Sequence, residues 1–328
     1  MRVFVAGATG VLGPRIVAEC TDRGHEVVGL SRTERGDEIV RECGGKAWRG
    51  DVFDRDSLVE GADGADVVVH AATRIPTDRK PDEEAWTKND RVRRAGAEHL
   101  VAAAASVGAE RFVQQSIVWV ARQPDGSAFD ETAEPNPDRT TRSALDAESI
   151  VAESSEAHDF DPVVLRCGLF HAADATNTRQ IGAGVLAGRM PIVGGGLFGR
   201  SDATLSWLHV DDAARAFATA IDGEASGVYH VVDDEPVTLS RYIQGLADRL
   251  DASQPRRVPA WLARLFVGKH VARLLSKPMS TTNDRFRATF DWRPLYPTYR
   301  EALDRIVEQW QADGTLRETE SGFEWAGE

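Results

Sequence analysis

The sequence predicts an α/β fold: a doubly wound parallel sheet covered by helices on both faces, with a smaller, mostly helical C-terminal lobe. Three observations carry the prediction. A glycine-spaced turn, Gly7-Ala8-Thr9-Gly10-Val11-Leu12-Gly13, stands directly between an apolar run and a helical pattern. Short apolar runs then alternate with amphipathic segments through the first half of the chain. Runs such as Val67-Val68-Val69 are apolar without alternation, as expected of strands buried on both faces.

In chain order, Val3 to Ala6 reads as the first strand. The helix after it, from about Pro14 to Arg23, carries Ile16, Val17 and Cys20 on one face and stops at Gly24. Glu26 to Leu30 is the second strand, Lys46 to Arg49 a weak third and Val67 to His70 the fourth. An alanine-rich helix runs from about Asp90 to Val107, with Gly108 after it. Arg111 to Gln115 and Pro162 to Arg166 read as the fifth and sixth strands, with a helix from about Ser143 to Ser155 between them. Beyond residue 170 the pattern loosens. A glycine-rich stretch, Gly182 to Gly199, contains Gly194-Gly195-Gly196. Val228 to Val232 is one more strand, and helices follow near Ser240–Leu250, Trp261–Leu275 and Tyr299–Ala312. The expected organisation is a nucleotide-binding domain over 1–170, a substrate lobe over 171–314 interwoven with the last strands, and a polar, partly disordered tail over 315–328.

Composition narrows the function classes. The chain has 328 residues, 42% of them hydrophobic, enough for a large core. Its apolar runs fall far short of the roughly 20 residues needed to cross a bilayer. Met1 and Arg2 lead straight into a strand, so no signal peptide is expected, and the expected location is the cytoplasm. The net charge of -13 and the lack of a basic stripe argue against nucleic acid. Lysine is scarce (Lys46, Lys80, Lys88, Lys269 and Lys277), which fits a salt-adapted host or a GC-rich genome. Cys20, Cys43 and Cys167 are widely separated, and the eight histidines form no His-Glu-x-x-His pattern, so no metal site is expected.

The glycine turn gives the chemistry. Between a strand and a helix, the first glycine permits the tight turn, the second lets backbone approach a pyrophosphate, and the third lets helix and strand pack closely. The helix N-terminus then faces the anion. A Rossmann-type dinucleotide site is expected to use Gly7, Thr9, Gly10, Val11, Leu12 and Gly13.

Further segments, in order, resemble the extended and atypical branches of the short-chain dehydrogenase/reductase superfamily, of the NAD-dependent epimerase/dehydratase type. Gly50-Asp51-Val52 resembles the adenine-contacting segment, and His70-Ala71-Ala72 the turn along the cofactor. Asn89 resembles a structural asparagine opening the long helix, and Arg166-Cys167-Gly168-Leu169-Phe170 the segment passing the nicotinamide. Ser206-Trp207-Leu208-His209-Val210-Asp211-Asp212 and Asp291-Trp292-Arg293-Pro294 resemble later family stretches. The resemblance covers roughly residues 1 to 310. It implies cofactor contacts from Ser31, Arg32, Asp51, Val52, Ala71, Ala72, Thr73, Asn89, Gln115, Cys167, Gly168 and Leu169. Dimerisation is that family's habit. Asp211 and Asp212 read as structural, and Trp119 and Trp207 as packing residues.

At the end of the second strand stands Leu30-Ser31-Arg32-Thr33, with no carboxylate to hold an adenosine ribose. Arg32 can pair with a 2′-phosphate, which favours NADP; Glu34 keeps NAD as the alternative.

The resembled family works with a tyrosine and a lysine four residues apart on the helix after the fifth strand. Here Thr140 and Ala144 hold those positions. The four tyrosines are Tyr229, Tyr242, Tyr296 and Tyr299, and no lysine occurs between Lys88 and Lys269, so the pair is absent from the nucleotide domain. The usual helper hydroxyl falls at Ile117, with Ser116 beside it. His171 is then the expected acid or base, titrating near neutrality, with Ser116 and Thr140 as polar contacts. Two readings stay open: an NADP-dependent oxidoreductase or epimerase acting on a small carbonyl or sugar-like substrate with a non-standard proton donor, and a non-catalytic NAD(P)-binding redox sensor or regulatory protein.

Overall fold

The computed structural model describes residues 1–78, 81–193, 202–258, 277–320 and 322–327. Its centre is a seven-stranded sheet whose pairings are all parallel. The strands are β1 (Arg2–Ala6), β2 (Glu26–Ser31), β3 (Lys46–Arg49), β4 (Val67–His70), β5 (Arg111–Ile117) and β6 (Asp161–Cys167), and Gly227–Val231 adds a seventh at the edge. From that edge the order runs Gly227–Val231, β6, β5, β4, β1, β2, β3. The chain therefore winds outward from β1 in both directions, and ligands of such sheets lie at the strand carboxyl ends where the winding reverses.

Side-chain alternation within each strand builds two cores. Val3 and Val5 face one way, into α1 (Gly13–Asp22) through Ile16, Val17 and Cys20, and into the Val210–Asp222 helix through Phe217. Phe4 and Ala6 face the other way. There they meet Leu58 of α3 (Arg55–Gly61), Leu100 and Ala104 of α4 (Glu83–Val107), and Val151 of α5 (Arg142–Ala157). Continuous apolar strands are required because both faces are covered.

A third core belongs to the lobe. It gathers Trp207, Val185 from the Thr176–Leu186 helix, Tyr242 and Leu246 from Leu239–Arg249, and Leu303, Ile306 and Trp310 from Tyr299–Ala312. Trp207 stacks on Tyr242 at 3.8 Å between ring centroids and 5° between planes, a packing role.

The long helix differs from expectation. It begins at Glu83, capped by the Asp82 carboxylate accepting from the Ala85 amide, so Asn89 lies inside it and does not open it. The C-terminal segment also differs: Leu316–Thr319 pairs with Gly322–Trp325 as a hairpin, and Trp325 meets Trp310 edge-on at 5.0 Å. Aromatic burial orders a stretch whose composition reads as polar. The Gly194-Gly195-Gly196 run and the Trp261–Leu275 helix lie outside the described residues.

Candidate functional site

The glycine turn closes as its spacing demands. Gly7 has φ +95°, and a side chain there would meet the Ala71 and Ala72 backbone at 2.5–2.7 Å. A side chain on Gly13 would lie 2.0 Å from the Gly7 carbonyl. These two glycines hold the turn against β4 and against α1. Gly10 is different: a Cβ there would meet only the Gly7 carbonyl, at 3.7 Å, and the residue is exposed together with Thr9. Its open, exposed side leaves room for a ligand to approach the backbone closely.

The first helix leaves its N-terminus free for an anion. Leu12 caps α1 without a side-chain bond, and the first turn holds no acidic residue. Its orphan amides and dipole therefore remain uncompensated. Leu12 itself is buried in the core and Val11 half-buried. Arg15 ties the segment down, donating to the Val11 carbonyl at 2.7 Å and pairing with Asp174 and Asp211. Asp212 accepts from the Leu295 and Tyr296 amides, fastening the segment after Trp292. Both carboxylates are thus structural.

At the end of β2, Ser31 is buried and its hydroxyl donates to the Thr33 carbonyl at 2.9 Å, shaping the turn. Thr33 caps α2 (Glu34–Glu42). Asp37 on that helix is taken by Arg49, at 2.5 and 3.2 Å, which holds its carboxyl below the usual range. Arg32 is exposed and makes no ion pair among the described residues. Asp51 turns its carboxylate onto the Phe53 amide at 3.0 Å, and Val52 is buried.

After β4, Ala71 is buried and bonded to β1, Ala72 is half-buried and Thr73 exposed. Asn89 accepts from the Arg74 amide at 2.9 Å, so it fastens this loop to α4, while its Nδ2 is buried without a partner. Gln115 is half-buried. Cys167 is buried, and burial holds its thiol protonated. Gly168 approaches the Ser206 carbonyl so closely that a Cβ would lie 2.8 Å from it, and Leu169 remains half-buried.

The three expected catalytic side chains are placed otherwise. His171 is 1% exposed, enclosed by Trp207, His209 and Tyr242, with Nδ1 at 3.3 Å from the Tyr242 hydroxyl. Burial drives its pKa far down, so it stays neutral and does not titrate near pH 7. The strand Leu169–His171 alternates, and its third side chain turns into the lobe core. Ser116 donates to buried Glu148, which also takes Arg166 at 2.7 and 3.0 Å. Thr140 gives its hydroxyl to Asp138 at 2.7 Å in the turn before α5. All three are committed inside the fold.

Sequence reasoning passed over Arg93. It is buried on α4, one turn beyond Asn89, and reaches the Thr140 carbonyl at 3.4 Å. It is one of three arginines, Arg91, Arg93 and Arg94, and its spacing of four residues from Asn89 on the buried face of α4 was the available signal.

The residues present fit a dinucleotide. The pattern of the NAD dependent epimerase/dehydratase family matches residues 3–232. A 3-diazoavenalumate denitrifying reductase from a Streptomyces species is 35% identical over 320 residues, 93% of this chain and 100% of that protein. A ketoreductase from Stigmatella aurantiaca, named for 4-hydroxy-2-methyl-3-oxo-4-farnesyl-3,4-dihydroquinoline-1-oxide, is 28% identical over 74% of this chain and 71% of its own length. Among solved structures, a human epimerase family protein with NADPH superposes with a TM-score of 0.77 at 20% identity, over 94% of this chain and 99% of that one. The dTDP-glucose 4,6-dehydratase of Streptomyces venezuelae gives 0.79 at 19%, over 95% and 98%. The family pattern takes in all seven strands of the large sheet and the glycine turn between β1 and α1: this chain is an NAD(P)-binding protein belonging to the NAD dependent epimerase/dehydratase family.

Proposed function

We propose that this protein is an NADPH-dependent reductase whose acceptor takes a hydride without developing negative charge, and that the acceptor is a diazo group. One observation carries the reading. The side chains that would serve as proton donor are engaged elsewhere: Ser116 near the end of β5 with Glu148, Thr140 before α5 with Asp138, and His171 on the Leu169–His171 strand buried and neutral. Ile117 and Leu169, both half-buried, carry no proton to give.

A carbonyl that gains hydride becomes an alkoxide, for which a positioned acid contributes typically ~10²–10⁴-fold. A diazonium carries positive charge instead. The bound nicotinamide supplies the hydride. Addition at the terminal nitrogen cancels the charge and gives a neutral diazene. The diazene then releases N2 as its hydrogen ends on carbon, so C–N2⁺ becomes C–H with both electrons and the proton accounted for. The chain's own residues need only orient the two partners and exclude water, which the apolar floor at Ile117 and Leu169 suits. The relative named for denitrifying reduction of a diazo compound, 35% identical, supports this acceptor class.

NADP is the proposed cofactor because Arg32 is exposed and unpaired at the end of β2 while Asp37 is engaged by Arg49. The test is to offer a diazotised aminobenzoate and a panel of ketones with NADPH, following absorbance loss and N2 release. The expected result is N2 release with the diazo compound and no oxidation with ketones. Ketone reduction without diazo turnover overturns the reading. Tight nucleotide binding with no turnover on either supports the redox-sensor alternative.

A further inference from the structure

We infer that Arg93, from α4, supplies the cation that is missing from α5 and binds the hydroxyls of the nicotinamide-bearing ribose. This rests on the dinucleotide site and not on the choice of diazo acceptor.

The geometry begins with α5. Thr140, Ala144 and Glu148 follow one another at four-residue intervals, and Ala144 and Glu148 share one face of the helix. Arg93 donates through Nη1 to the Thr140 carbonyl at 3.4 Å, and its charge also feels the Glu148 carboxylate. The guanidinium therefore reaches the residue four positions before Ala144, whose small, buried side chain stands where the resembled family has a lysine. The resembled family holds the ribose with a lysine at that position.

The second observation is the state of Arg93 itself. It is 5% exposed, yet the Thr140 contact is its one hydrogen bond among the described residues. The two carboxylates nearby have closer partners. Asp90 accepts from Arg139 through Oδ2 at 2.5 Å while its Oδ1 stays buried without a partner among the described residues, and Glu148 is held by Arg166 and Ser116. A guanidinium has five N–H donors in a planar fork, and the protein uses only one nitrogen of this one. Asn89, one turn earlier on the same helix, likewise holds an unpartnered, buried Nδ2. Neutral acceptors paired on adjacent carbons, as in a ribose diol, match that fork. Burial lowers the Arg93 pKa to about 10, which still leaves it charged at neutral pH.

The experiment measures binding, independent of turnover. Arg93→Met is titrated with NADP, with NAD, and with 2′,5′-ADP, which lacks the nicotinamide ribose. NADP and NAD are each expected to bind about tenfold or more weakly, the scale of a lost charge-assisted hydrogen bond, with 2′,5′-ADP unchanged. Adding Ala144→Lys to Arg93→Met is expected to recover most of the loss. Arg93→Lys keeps the buried charge should Arg93→Met not fold, and is expected to show a smaller loss confined to the nicotinamide-bearing nucleotides. Unchanged NADP affinity overturns the inference. So does an equal loss for 2′,5′-ADP, which marks a scaffold role. If the protein prefers NAD, the same comparison is made between NAD and ADP, so a wrong cofactor preference is distinguished from a wrong role for Arg93.

Discussion

Arg166 on β6 and Glu148 on α5 form a two-point ion pair inside the protein, at 2.7 and 3.0 Å, with both side chains 6% exposed. Ser116 on β5 donates to the same carboxylate. Three elements, β5, β6 and α5, are thereby locked together at one carboxylate. Removing one partner strands the other charge without compensation. Glu148→Ala is expected to lower unfolding free energy by about 3–5 kcal/mol, measured by urea denaturation. A change under about 1 kcal/mol would show that water reaches the pair.

Gly10 and Gly13 separate binding from folding. Gly10→Val is expected to fold normally and lose nucleotide binding, because the added side chain enters open space that phosphates need. Gly13→Ala is expected to destabilise the fold itself, since its Cβ would sit 2.0 Å from the Gly7 carbonyl. Circular dichroism with nucleotide titration of each variant checks this. Unchanged nucleotide affinity in folded Gly10→Val would sink the assignment of the glycine turn to the nucleotide.

Arg32 tests cofactor preference. Arg32→Ala is expected to weaken NADP by roughly 10- to 150-fold and to leave NAD nearly unchanged, since only the former carries a 2′-phosphate. Equal affinities for the two nucleotides in the native protein would refute the preference.

His171 is expected to matter for packing. Its ring touches Trp207, His209 and Tyr242 in the lobe, so His171→Ala should lower the melting temperature and leave the pH profile of turnover in place. A rate that loses an ionisation near neutral pH in this variant would restore the role that its sequence position suggests.

Acid sensitivity follows from buried neutral histidines. Burial lowers His70 to about 4, His209 to about 4 and His230 to about 3, from an ordinary value of 6.5. The unfolded chain binds these protons first, so their stabilisation is complete above pH 6.5. It is lost as pH falls from 6.5 through the folded values, at up to about 1.4 kcal/mol per pH unit for each histidine. Thermal melts across that window are expected to fall steeply. His230→Gln should flatten the curve, and an unchanged slope would remove His230 from the account.

The sequence by itself determined the sheet and the class of nucleotide, NAD(P), without choosing between the two. Short-range rules suffice there: a glycine turn between strand and helix has one use, and two-sided apolar strands leave one architecture. It also established the loss of the tyrosine–lysine pair, because absence of a residue type is read directly from the chain. Side-chain direction was decided only by tertiary packing. His171 follows the right strand but turns into an aromatic cluster, and Ser116 stands at a strand end but faces a carboxylate from α5. Trp325 orders a hairpin that composition reads as tail by meeting Trp310 from another helix. Arg93 reaches Thr140, in the turn before α5, from a position 47 residues earlier in the chain (93 against 140), a juxtaposition that no local pattern encodes. Each of these contacts joins segments distant in sequence, and the energy that chooses them, burial and pairing of polar groups, exists only once the sheet has brought them together.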